Sequence, residues 1–280
     1  MRPILVEFGW WTLPVVGSTH LFIASYGLFF ALAALTGWVI FLRLARATAL
    51  PQAESDRFAF WTVVAGLCGS KLTLIALDWR YYLEDPIRIF STLRSAGVLM
   101  GGVTAGFFAA VALCRLYRLP FWRVADAAAV PLPLTQAIGR IGCLMAGCCY
   151  GRACDLPWGV VFRDPAAAEN SGVPLGVPLH PTQLYHFGAD LLVFAATSLV
   201  WKRRRFDGQV LLVYMIFYSA ERFVVELWRG DDVRGVFFGG ISTSQLFSLV
   251  GLLAGLALWP VLSRRPRGDD SPGSPLSAER

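Results

Sequence analysis

Long apolar runs alternate with short basic stretches along most of this chain. Seven runs can be marked, at His20–Leu42, Phe58–Leu77, Ala96–Cys114, Val124–Gly139, Gln183–Trp201, Gln209–Trp228 and Ile241–Leu262. Most approach the roughly 20 residues that a helix needs to cross a bilayer. The fourth is short and holds Pro131 and Pro133, which should kink or break it. Such breaks are tolerated in membranes where neighbouring helices cover the freed backbone groups. The pattern predicts an all-α membrane protein with seven transmembrane helices in residues 1–263. Residues 264–280 are rich in Pro, Ser, Gly and charge and are expected to form a disordered tail. No cleavage-site pattern precedes the first run, so that run is expected to remain in the mature protein. Trp10 and Trp11 before it suit a membrane–water interface.

Composition agrees with this reading. The chain is 56% hydrophobic and 16% charged, against about 25% charged in soluble domains. Its net charge of +6 lies in clusters between apolar runs, which fits membrane topology better than nucleic-acid binding. One set of connections holds Arg43, Arg46 and Arg57, then Arg115, Arg118 and Arg123, then Lys202 to Arg205, then Arg264, Arg265, Arg267 and Arg280. The alternate connections are longer and hold fewer basic residues. The first set is therefore expected to be cytoplasmic, with the N-terminus outside and the C-terminus cytoplasmic. No internal repeat suggests a transporter built from inverted halves.

This topology brings polar residues from distant segments to similar depths. The fourth run points outward, so Arg140 should emerge near the outer face. Lys71 and Arg222 each lie about 13 residues into an outward run, roughly 20 Å at 1.5 Å per residue. An intramembrane arginine must face protein, water or a ligand. Arg222 has Glu221 beside it and Glu226 four residues on, where the two can pair on one helix face. Two readings stay open: a structural ion pair, or a phosphate clamp shared with Arg140, since the guanidinium fork suits phosphate oxygens. Lys71 adds a third positive charge or snorkels to the surface. Gly101, Gly102 and the glycines of the Gly139–Gly151 stretch either allow close helix packing or bring backbone N–H groups against a phosphate. Asp126 reads as a cap or a partner of Arg123. Asp190, deeper in its run, is the better site candidate. Cys68 and Cys114 read as packing residues. Cys143, Cys148, Cys149 and Cys154 cluster on the expected outer side, where a disulfide to Cys154 is plausible. No C-x-x-C pair occurs, so no metal site is expected, although His180 or His186 could join the cysteines.

Taken in order, these residues resemble the bacterial prolipoprotein diacylglyceryl transferase family. The resemblance runs through Ser25-Tyr26-Gly27-Leu28, Gly101-Gly102, Asp126, Pro131 and Gly139-Arg140-Ile141-Gly142. It continues through Gly151-Arg152, His180-Pro181-Thr182-Gln183-Leu184-Tyr185, Tyr218, Arg222-Phe223, Glu226, Arg229 and Ser242 to Gln245. It implies a multi-pass enzyme of the bacterial cytoplasmic (inner) membrane. The implied reaction moves the diacylglyceryl group of phosphatidylglycerol onto the lipobox cysteine thiol of a preprolipoprotein. A thioether forms and glycerol phosphate leaves. Arg140 and Arg222 would hold the phosphate and stabilise the leaving group. Tyr26, Gly101, Gly102, Gly142, Tyr218, Glu226 and Arg229 would complete the substrate site. The implied partners are phosphatidylglycerol, the preprolipoprotein and the bilayer, with no nucleic acid, no metal and no cofactor.

The chain departs from the family pattern at four places. A histidine proposed as the base is replaced by Met100, which cannot take a proton. Cys143 stands for an asparagine, Cys148 for an acidic residue, and His186 for another. A thiol of pKa near 8.5 is partly thiolate without help, or His180 or His186 substitutes as the base. The alternative is a diverged paralogue that binds a phospholipid and uses another acceptor or does not catalyse.

Overall fold

The computed structural model describes residues 3–13, 17–85, 89, 92, 97–230, 236–237 and 241–264. The strands β1 (Ile4–Leu13) and β2 (Gly17–Ala24) lead into α1 (Ser25–Ala47). Then come α2 (Gln52–Leu77), α3 (Trp79–Glu84), α4 (Leu99–Leu116), α5 (Phe121–Ala129) and α6 (Pro131–Ala146). A loop region carries β3 (Val160–Val161), α7 (Pro165–Ser171) and β4 (Pro178–Leu179). The chain continues as α8 (Thr182–Arg203), α9 (Gln209–Glu226), β5 (Val236–Phe237), β6 (Ile241–Ser242) and α10 (Thr243–Leu262). The tail from 265 on and the side chains of Trp10 and Trp11 lie outside the described residues.

Helices dominate the described residues, in keeping with the helical expectation, and three two-stranded sheets, β1–β2, β3–β4 and β5–β6, accompany them. The pairs β3–β4 and β5–β6 are antiparallel. They satisfy backbone groups where the chain turns between helices. The first apolar run accordingly begins as strand and becomes helix only at Ser25. Among the described residues six segments are long and apolar enough to cross a membrane: α1, α2, α4, α5 with α6, α8 and α10. The sixth run forms α9, whose 18 residues include Glu221, Arg222 and Glu226, and it is not among those six spans. The expected break in the fourth run falls at Val130, next to Pro131, where proline withdraws a donor from the helical ladder. Outward-facing side chains such as Leu72 at 65% and Leu99 at 75% exposure form the apolar exterior that a bilayer solvates.

The described residues fall into two compact units. One contains Phe22–Phe41 and the chain beyond Ala125, with α6 packed on α8, α8 on α9 and α9 on α10. In this unit α1 lies close against α6, where a Cβ on Gly142 would stand 3.0 Å from Phe29 Cβ and 3.4 Å from Tyr26 Cα. Asp126, fully buried, accepts hydrogen bonds from Gly208 N at 2.8 Å and Leu211 N at 2.9 Å. It thereby caps the start of α9 from a residue far away in sequence. The loop between α6 and α8 has its own small core of Phe162, Ala167, Val173 and Leu179.

The other unit contains Leu42–Val124 and is built on α2 against α4. Glycines line that contact. A Cβ on Gly102 would lie 3.0 Å from the Gly66 carbonyl oxygen, and one on Gly101 would overlap the Thr73 side chain.

Candidate functional site

Helix α9 brings its charges into the interior of the first unit. Arg222 and Glu226 sit one turn apart and pair, with Nη1 2.8 Å from Oε2. The same guanidinium donates from Nη2 to Ser244 Oγ at 3.1 Å on α10 and from Nη1 to His186 Nε2 at 3.0 Å on α8. The other His186 nitrogen, Nδ1, lies 3.0 Å from Glu221 Oε2. An arginine has no lone pair to offer, so Nε2 must accept and the ring proton must sit on Nδ1, donating to Glu221. His186 is fully buried and both its ring nitrogens are engaged. Glu226 is held in turn by the Ser242 hydroxyl at 3.0 Å. Ser242 also forms a capping box with Gln245 at the start of α10. Three helices are thus tied around one guanidinium.

Arg140 differs. It lies in α6, and its guanidinium makes no hydrogen bond or ion pair among the described residues. The groups that act on it electrostatically are Cys149, Tyr218, Cys143 and Asp190. Asp190 is fully buried on α8, and neither of its carboxylate oxygens has a hydrogen-bond partner among the described residues. It feels both Arg140 and Arg222. His186 feels Arg140, Arg222 and Arg229. Charged groups from α6, α8, α9 and the segment after α9 therefore share one low-dielectric neighbourhood. Tyr218 stacks on Tyr214 at 5.4 Å and faces the same two arginines, Arg140 and Arg222. Tyr26, across from Gly142, faces Arg140 and Cys143.

The loop after α6 is fixed from two sides. Gly147 ends the helix at φ +79°, where a Cβ would also meet Ala167 at 2.9 Å. Thr182 Oγ1 donates to the Cys149 carbonyl at 2.6 Å and Gln183 Nε2 to the Cys148 carbonyl at 2.8 Å. The next residues run between two other strands of chain. Gly151 N donates to His180 O, His180 N to Arg152 O, and Arg152 N to Trp228 O, each at 2.9–3.0 Å. A Cβ on Gly151 would stand 2.6 Å from His180 O and 2.7 Å from Trp228 O, so this glycine is required by close backbone approach. The Cys149 thiol is held well below the ordinary range by hydrogen bonds within the Cys143–Cys148–Cys149 group and then by Arg229 and Arg140. Cys148 is pushed the other way by the same shared hydrogen bonds.

The remaining expected site residues are each held by local contacts. Gly101 and Gly102 are in the second unit, where α4 approaches α2 closely. Lys71, also there, donates to Thr92 O at 2.6 Å. His180 lies beside a recess of ≈390 Å³ lined by Leu156, Trp158, His180, Tyr185 and Trp228, with its Nδ1 3.2 Å from Tyr185 Oη. Asp126 is a helix cap. All six cysteines are free thiols, so the disulfide to Cys154 is not formed. Sequence reasoning placed Ser244 in a motif without finding its contact with Arg222, and did not find the clamping roles of Thr182 and Gln183. The runs His180–Gln183 and Ser242–Gln245 carried a signal, being polar side chains at the mouths of apolar helices.

Comparison with known proteins bears on this arrangement. The profile described as prolipoprotein diacylglyceryl transferase matches residues 14–261. The phosphatidylglycerol–prolipoprotein diacylglyceryl transferase 2 of Clostridium perfringens is 33% identical over 85% of this chain and 91% of its own length. The phosphatidylglycerol–prolipoprotein diacylglyceryl transferase of Geobacter sulfurreducens is 32% identical over 89% and 94%. That of Nostoc sp. is 31% identical over 99% and 95%.

Proposed function

Because the chain belongs to the prolipoprotein diacylglyceryl transferase family, we propose that it moves the diacylglyceryl group of phosphatidylglycerol to the lipobox cysteine thiol of a preprolipoprotein. The observation that carries this is Arg140. It is a guanidinium with no protein partner among the described residues, set beside the Arg222 network and the unpaired Asp190. A phosphodiester supplies the anion such a group lacks. Arg222 is tied to Glu226, His186 and Ser244, so its role is to set the field and the shape. Arg140 makes the direct contact and takes up the charge that grows on the departing glycerol phosphate.

The finer topology belongs to the same proposal. Helix α9 is a seventh span, kept in the membrane by neighbours that cover its charges. The N-terminus is outside, and the site opens to the outer leaflet of the cytoplasmic membrane. His180 lies at the aromatic recess, where it would line the path of the acceptor. Arg229, Tyr218, Tyr26, Gly142 and Glu226 shape the phospholipid side.

The test is rescue of a strain depleted of its own transferase, paired with an assay of purified protein using phosphatidylglycerol vesicles and a lipobox peptide. Rescue with thioether formation is expected. Replacing Arg140 with alanine should lower transfer roughly 10²–10³-fold, the usual loss of one transition-state charge contact. Met100 favours the second reading, a phospholipid-binding paralogue. Phosphatidylglycerol binding without transfer, in confirmed membrane-inserted protein, would establish that reading and end the first.

A further inference from the structure

Three thiols converge at the end of α6. The Sγ atoms of Cys143, Cys148 and Cys149 all lie within 4.8 Å of one another, and none is in a disulfide. Zn–S bonds of about 2.3 Å in a tetrahedral site put sulfurs about 3.8 Å apart, so a contraction of roughly 1 Å closes this triangle on an ion. The backbone carrying the thiols is held in place: Gln183 and Thr182 grip the Cys148 and Cys149 carbonyls. Thiolate sulfur selects thiophilic ions such as Zn(II) and Cu(I) over Mg(II) or Ca(II). Three thiolates around Zn(II) carry one net negative charge, and Arg229 and Arg140 are the cations that face Cys149.

Among the described residues no fourth His, Cys, Asp or Glu joins the three. Three protein ligands with one open position are the arrangement of reactive zinc sites, whereas structural sites are closed by four. The acceptor in the proposed reaction is itself a thiol that must lose its proton. His186, with both ring nitrogens engaged, has no lone pair free to take it.

We infer that Cys143, Cys148 and Cys149 bind one Zn(II) as thiolates and that its fourth position takes the acceptor thiol. The identity of that thiol rests on the transferase reading; the metal site does not. On binding, the acceptor S–H becomes metal-bound thiolate and its proton passes to water. The sulfur electron pair then forms the C–S bond to the glyceryl carbon. The C–O bond to phosphate breaks, and its electron pair leaves with glycerol phosphate. Nothing is oxidised or reduced.

The experiment uses the full chain purified in detergent under reducing conditions, exposed to Zn(II) or Co(II) and desalted. One metal ion per chain is expected. In Cys143→Ser/Cys148→Ser/Cys149→Ser it should fall below roughly a tenth of that, while Cys154→Ser retains it. Should the triple variant not be monodisperse, Cys148→Ser alone tests the same loss. The Co(II) form should show sulfur-to-metal charge-transfer absorption. A lipobox peptide should raise that absorption by roughly one third, from three sulfur ligands to four, and the same peptide with serine for cysteine should not. Failure to retain metal, retention by the triple variant, or a band indifferent to the cysteine peptide would overturn the inference. So would full transfer by chelator-stripped protein, an outcome that leaves the transferase reading intact. Metal retention with the peptide response, but no transfer from phosphatidylglycerol vesicles, would instead overturn the transferase reading and keep the site.

Discussion

Arg140 and Arg222 are the same residue type placed in opposite circumstances. Arg222 gives its fork to Glu226, His186 and Ser244, and removing it leaves a buried carboxylate and a buried histidine without their partner. Such losses destabilise by about 3–5 kcal/mol. Arg222→Ala should therefore lower both the melting temperature and the activity of detergent-solubilised protein. Arg140→Ala should lower activity with little change in melting temperature. Arg140→Lys keeps the charge and loses the bidentate fork, so it should recover only part of the rate. On the proposed reading His186 acts through Arg222, to which its Nε2 is hydrogen-bonded. His180→Ala combined with His186→Ala should reduce transfer without moving the pH–rate profile, because His186 positions a cation and does not exchange a proton. A lost limb of that profile would show that one of these histidines is the base.

At the scale of elements, two contacts decide how helices meet. Asp126 accepts from Gly208 and Leu211, which joins α5 to the start of α9. Asp126→Ala should cost about 0.5–2 kcal/mol, the usual loss of a helix cap, read as a lower melting temperature. In the second unit, α2 and α4 approach through Gly66, Gly69, Gly101 and Gly102. Gly101→Val forces a side chain into Thr73 and should cost about 1–3 kcal/mol as overpacking. Its transfer rate, measured on the fraction that remains folded, separates a packing role from a substrate-binding one. A third contact on this scale is made by backbone: Gly151 lies between His180 and Trp228, so even alanine there should displace the cysteine loop.

For the whole molecule, the proposed orientation makes the loop between α8 and α9 cytoplasmic and the long loop from Gly147 to Pro181 external. A reporter active only outside the membrane should work when inserted near Ser171 and fail near Arg205. The reverse result would invert the topology and place Arg140 at the inner leaflet. The helical membrane architecture was legible in the chain because apolar runs of bilayer length have few other uses. The broken fourth run was legible from Pro131 for a local reason, the missing donor. The hairpins between helices were not. Their strands are as short as two residues, too brief for alternation to register.

Residue chemistry alone determined that this chain spans a membrane, that Arg140 and Arg222 are charges needing a partner there, and that its ordered motifs resemble one family. Those properties are local, set by composition and spacing. Which arginine is already satisfied, why His186 has no free nitrogen and how Cys143 comes beside Cys148 and Cys149 were decided only by tertiary structure. Each depends on how α6, α8, α9 and α10 pack side by side, and periodicity within one helix does not specify the rotation of its neighbours.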